Sequence, residues 1–205
     1  MTTAFQHLFD NAETLSINRR RNVTQTQSRD GTVKSTSLGG QLWQFEVKMP
    51  DGPRWSDLRP VIEKMEALDR VTVGTVQLNH ANFTWLSGYQ GSMTNIANVI
   101  VSYSAGNTLT ITSGGSTPGV GQYKFRAGDF IQLGTGSVYS VAADVAYNSN
   151  TITVNRPVRE AAGSYTLKVG PAVSWNVICT SFPSWTIFAR NQVSWNGPFV
   201  FVEAV

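Results

Sequence analysis

The sequence predicts a mainly β fold: a β-sandwich domain with one helix, and a small OB-type β-barrel inserted into it. Three observations lead there. Residues 172–205, AVSWNVICTSFPSWTIFARNQVSWNGPFVFVEAV, alternate apolar and polar side chains almost without a break, which is the period of a half-buried strand. Residues 88–170 are poor in tryptophan and rich in Gly, Ser, Thr and Asn, with short strand-like runs at regular spacing. The tryptophan-bearing alternating runs lie on both sides of that stretch, so the simplest arrangement inserts the middle into a domain built from the two ends.

In chain order, residues 15–49 read as a hairpin and a core strand. LSINRRRNVTQTQS and TVKSTSL flank the Asp30-Gly31 turn, and LWQFEVKM then alternates so that Trp43, Phe45, Val47 and Met49 share one face. PDGPRW breaks the pattern. Ser56-Asp57 precede the one convincing helix, LRPVIEKMEALD, with Leu58, Ile62 (or Val61), Met65 and Leu68 at helical spacing and Pro60 in the first turn. VTVGTVQL returns to strand, and NFTWLSGYQG leads outward through two glycines.

The middle stretch offers NVIVSYS, NTLTITSG, KFRAGDFIQLG, SVYSVAADVAY, NTITVNRPV and SYTLKVG, separated by turn signals such as Ala105-Gly106-Asn107, Gly134-Thr135-Gly136 and Asn148-Ser149-Asn150. Five or six strands of this length make a small barrel of the oligonucleotide/oligosaccharide-binding type. In the closing segment Val173, Trp175, Val177 and Cys179 line one face. After the Asn196-Gly197-Pro198 turn, Phe199, Phe201 and Val205 line another, so the last residues close the core. VSWN recurs at 173–176 and 193–196, too short a match to define a repeat. The expected domains are therefore 1–87 with 171–205, and 88–170.

Composition bounds the function. Charged residues make up only 14% of the 205, against roughly 25% in an ordinary soluble domain, which points to a surface covered by other chains. The net charge is +3 and the basic residues are scattered apart from Arg19, Arg20 and Arg21, so binding by phosphate neutralisation has little support. That run reads as a solvated strand edge. The single cysteine allows no internal disulfide, and no apolar run approaches the ~20 residues of a membrane span. The N-terminus lacks the basic start and apolar core of a signal peptide, so synthesis and assembly in a reducing cytoplasm, without membrane insertion, are expected.

Groups for chemistry are few. His7 and His80 are far apart, and neither has metal-ligand spacing beside it. Cys179 falls on the apolar face of a strand, where a thiol behaves as a small hydrophobe. Glu63, Glu66 and Asp69 fit the solvated side of the helix better than a hydrolytic carboxylate pair. Gly114-Gly115 and Gly119/Gly121 lie in a strand-connecting loop without the lysine or following helix of a phosphate-binding loop. No catalytic residue, cofactor or metal is expected, and the chain is not read as an enzyme. Of the barrel aromatics Tyr103, Tyr123, Phe125, Phe130, Tyr139 and Tyr147, those in alternating register such as Phe130 read as core. Tyr123 and Tyr147 lie at strand ends and are the candidates for exposure and glycan contact.

Two segments carry a resemblance. KFRAGDFIQLGTGSVYSVAADVAYNSNTITVNRPVRE resembles an "aGDfiqlg…vY.V..Dv…..tItvnrPvR" pattern of long-tailed bacteriophage tail proteins, and SWNVICTSFPSWTIFARNQVSWNGPFVFVEAV resembles their "tsfP.w.i…..v.w.G.F.F.E" C-terminus. With the W.fEvk..p run and the helix, the chain is similar over most of its length to the distal tail protein family, in the version where a sandwich domain carries an OB-type barrel. The resemblance implies a virion structural protein at the distal end of the tail. It would form a homo-hexameric ring joining the tail tube protein to the baseplate hub protein, with DNA only as cargo passing through an axial channel. A channel wall beside DNA is expected to be acidic or neutral, so Arg19, Arg20 and Arg21 belong either to a subunit interface or outside the lumen. The competing readings are a carbohydrate-binding tail module that touches host-surface glycan through the barrel, and a glycan hydrolase. The scarcity of His speaks against the hydrolase.

Overall fold

The computed structural model describes residues 4–19, 23–37, 40–68 and 71–204. The fold is mainly β, 40% strand and 16% helix, with several sheets of which one curls into a half-barrel, in keeping with a sandwich plus a barrel. The chain forms two compact units, Met1–Gly74 with Val177–Ala204, and Thr75–Asn176. These junctions fall at 74/75 and 176/177, 13 residues before the expected 87/88 and 6 residues after the expected 170/171.

The first unit opens with a helix, α1 (Ala4–Asp10), whose buried Phe5, Leu8 and Phe9 recur at helical spacing. It is followed by β1 (Thr14–Asn18), a ribbon of β2 (Val23–Gln27) and β3 (Val33–Ser37), and β4 (Gln44–Lys48). Ribbon register, Thr24 opposite Thr36 and Gln27 opposite Val33, closes on the Asp30-Gly31 turn. Asp30 shapes that turn, accepting hydrogen bonds from Ser28 Oγ and from the Thr32 N–H at 3.0 Å. Helix α2 (Trp55–Ala67) buries Leu58, Ile62 and Met65, as its spacing predicts. It starts one turn earlier than Ser56-Asp57 implied: Arg54 is the residue before the first turn, and Pro60 sits inside the helix. Next comes β5 (Gly74–Val76), which starts at the junction, Thr75 and Val76 belonging to the second unit.

The end of the chain supplies β14 (Trp175–Ser181), β15 (Trp185–Phe188), β16 (Gln192–Trp195) and β17 (Phe199–Glu203), the numbers β6 to β13 belonging to the strands between. The five-stranded sheet has the order β1-β4-β17-β14-β5. The last strand is thus central, as the closing alternation requires. Antiparallel register aligns Ile17, Phe45, Phe201 and Cys179 in one row, since directly opposed residues share a face. Onto that row α1 lays its aromatics, Phe5 5.2 Å from Phe201 and Phe9 5.6 Å from Phe45, both edge to face. β15 and β16 pair with one another, and the Trp185 ring stacks face to face on Trp55, the ring centres 4.7 Å apart.

The second unit holds α3 (Thr84–Ser87), β6 (Ile100–Tyr103), β7 (Thr108–Ser113), β8 (Tyr123–Phe125), β9 (Phe130–Leu133), β10 (Val138–Ser140), β11 (Val145–Ala146), β12 (Thr151–Thr153) and β13 (Gly163–Val169). Six strands run in the order β10-β9-β13-β6-β7-β12, and β8 pairs with β11 apart from them. The two outer strands approach one another where Val141 bridges Val154, helped by N–H bonds from Ala142 to Thr153 at 2.7 Å and from Asn155 to Ser140 at 3.0 Å. This short contact curls the sheet into a partial barrel around Val99, Val101, Leu109, Phe125, Ile131 and Tyr139.

Candidate functional site

Of the candidate interface arginines, Arg19 is exposed, with its guanidinium 5.4 Å from the centre of the Trp43 ring. Arg20 and Arg21 lie outside the described residues. His7 sits on α1 beside Asn11, whose side-chain amide donates to the His7 carbonyl at 2.9 Å. His80 accepts the Asn82 N–H at its Nδ1 at 3.4 Å. Cys179 is buried in the sheet, its thiol donating to the Ser181 carbonyl at 3.4 Å. Among the described residues no group of three or more His, Cys, Asp or Glu side chains is placed to hold a metal ion.

Tyr123 and Tyr147 are both half-buried, on or beside the β8–β11 pair. One face of Tyr123 is already covered: the Arg126 guanidinium lies 4.6 Å from its centroid and is anchored by Asp144 at 3.2 Å. What remains for an outside ligand is the other face and the ring edge.

The strand that presents Tyr123 also carries a residue that the sequence left unremarked. Lys124 points to the opposite side and is only 6% exposed, followed by the buried Phe125. Its ammonium donates to Asn150 Oδ1 at 2.6 Å. Both residues line a cleft of about 150 Å³ together with Met93, Ile111 and the run from Thr112 to Thr117. The glycines in that run are required by packing: a Cβ on Gly114 would stand 1.8 Å from the Asn98 carbonyl oxygen, at a φ of +80° that side chains rarely adopt. Hydroxyls hold the wall from the other side, Ser116 Oγ accepting the Thr94 N–H at 2.9 Å and meeting Thr94 Oγ1 at 2.7 Å. The fold thus brings a lysine to the Gly114-Gly115 loop, although none stands beside it in sequence. In sequence Lys124 stands in the alternate register to Tyr123 and Phe125, so alternation gave no sign of its burial.

Other buried polar groups hold the second unit together. Asp129 accepts the N–H groups of Arg126 and Gln90, both at 2.8 Å, and burial nevertheless pushes its carboxyl above the usual aspartate range. Burial likewise pushes the Tyr139 phenol up, aided by its bond to Glu160 at 2.6 Å. Glu160 also takes the Ser137 N–H at 2.6 Å, so the carboxylate ties β10 to the segment before β13.

No protein-family model and no curated protein sequence matches the chain. No helix among the described residues is long and apolar enough to cross a membrane.

Proposed function

We propose that the protein is a distal tail adaptor of a long-tailed bacteriophage, a virion structural protein that forms a hexameric ring between tail tube and baseplate hub and leaves a channel for DNA. One observation carries the reading beyond the sequence resemblance. Among the described residues the β2–β3 ribbon pairs with no other strand, and residues 24–36 are exposed throughout. A two-stranded ribbon is marginal in water by itself, so a ribbon kept at this length calls for a surface that the single chain does not supply. Strand β15 lies at an edge, its partner β16 being bonded on the other side to the 52–55 segment, and it exposes Ile187 (45%) and Phe188 (56%). A closed ring answers both, because each subunit meets its neighbour through two different surfaces and covers edges that would otherwise aggregate. The 14% charged fraction fits a surface largely occupied by other chains.

The test is native mass spectrometry of the purified full chain. It is expected to show six copies, and the double variant Thr24→Glu, Thr26→Glu is expected to give a folded monomer, because charge on the ribbon opposes the contact without touching a core. A wild-type chain that stays monomeric at all concentrations contradicts the ring, and a hexameric double variant removes the ribbon from the interface.

A second reading rests on the half-buried Tyr123 and Tyr147: the second unit as a host-glycan module. On that reading a glycan array probed with the full chain gives hits that are lost on Tyr123→Ala and Tyr147→Ala.

A further inference from the structure

We propose that the cleft between the 112–117 loop and Lys124 is a binding site for a carboxylate, taking the acidic end group of a small organic acid or sugar acid. The proposal rests neither on the ring nor on the two tyrosines, neither of which lines the cleft. It starts from a charge imbalance. Lysine is almost never buried unless it is paired, because removing an ammonium from water costs several kcal/mol. Lys124 is 6% exposed, and the polar partner of its ammonium is the neutral Asn150 amide, which takes one of its three N–H donors. Lys124 takes part in neither the Lys48–Glu13 nor the Arg126–Asp144 ion pair.

The cleft around that ammonium is suited to an anion of limited charge. Thr112 Oγ1 donates to the Ile100 carbonyl at 3.1 Å and Ser116 is engaged with Thr94, while Ser113 and Thr117 bring two further hydroxyls to the lining. A carboxylate there accepts from the ammonium and from these hydroxyls, in the charge-assisted geometry that makes such bonds strong. A single cation balances a monoanion; a phosphate dianion would be left half neutralised, since the lining holds no arginine and no second lysine. Met93 and Ile111 supply an apolar floor for the carbon skeleton behind the acid group. At about 150 Å³ the cleft is smaller than the ~300–1,000 Å³ typical of a pocket that encloses a whole drug-sized ligand, so it takes one end group. The wall is fixed in advance, because Gly114 and Gly115 are wedged against Asn98, Val99 and Met93.

The probes are sodium acetate and sodium glucuronate, each titrated into the full-length chain and followed by heteronuclear NMR against sodium chloride at matched ionic strength. Saturable shifts are expected at Lys124 and at residues 113–117. Lys124→Gln is expected to weaken binding roughly tenfold or more, the scale of one lost charge-assisted hydrogen bond. Thr117→Val, an exposed position, is expected to weaken it a few-fold with the fold intact. Glucuronate binding tighter than acetate identifies a sugar acid as the ligand class, and equal affinities identify simple carboxylates. Shifts that never saturate, that chloride reproduces, or that persist unchanged in Lys124→Gln overturn the site. If Lys124→Gln does not fold, unchanged affinity in Thr117→Val overturns it instead.

Discussion

Trp43 and Trp175 are 2% and 1% exposed, and each sits where the alternation of its strand puts it. Replacing either with alanine is expected to cost about 3–5 kcal/mol in urea unfolding, and a loss below about 1 kcal/mol would show that the site collapses or opens to water. A second expectation at this scale concerns pH. The Asp129 carboxyl titrates above its ordinary 3.8 because burial outweighs the two N–H bonds it accepts. The folded chain therefore holds that proton more tightly than the unfolded chain, so the contribution of Asp129 is fully present below the ordinary value and fades as pH rises through the folded one. Stability of wild type relative to Asp129→Asn should fall over that window when urea midpoints are compared; a difference that rises with pH would reverse the assignment. Alternation made the tryptophans legible because burial on a strand follows period two. It hid Lys124, whose burial depends on Asn150, 26 residues further on and adjacent only through the β7–β12 pairing.

Among the elements, α2 and most strands were legible from spacing and turn residues, whereas α1 was not. With only seven residues, α1 is too short to be stable alone, and it holds its form because Phe5 and Phe9 pack on Phe45 and Phe201 from strands far along the chain. Strand β17 lies between β4 and β14, so a chain ending at Gly197 leaves the Phe45 row uncovered and two inner edges unpaired. It is expected to be insoluble on expression, and a soluble product with a sharp thermal transition would show that β17 is dispensable. The 112–117 loop carries a further expectation at this scale. Gly114→Ala places a Cβ against the Asn98 carbonyl at an unfavourable φ, and a cost of about 1–3 kcal/mol is expected in thermal unfolding. A neutral substitution would mean that the loop can shift away from the 94–99 segment.

At the scale of the molecule, the insertion pattern was legible because tryptophan-bearing alternation flanks a stretch of different composition. The junctions were less so, since Val76, Leu78 and Trp175 have the apolar character of the outer segments yet belong to the second unit, where Trp175 packs edge to face on Phe130 at 5.5 Å. A fragment spanning Thr75–Asn176 is expected to give a dispersed proton–nitrogen spectrum, as a unit with its own core should; a random-coil spectrum would deny it independence. The central claim is the proposed assembly, in which the β2–β3 ribbon of each subunit packs against the next in a closed ring. If the chain belongs to a bacteriophage tail as proposed, a cryo-EM reconstruction of that tail's tip tests the ring most directly. The ring account expects six copies around an open axial channel, with the β2–β3 ribbon against a neighbouring subunit; three-fold density, or a tip without this chain, would contradict it.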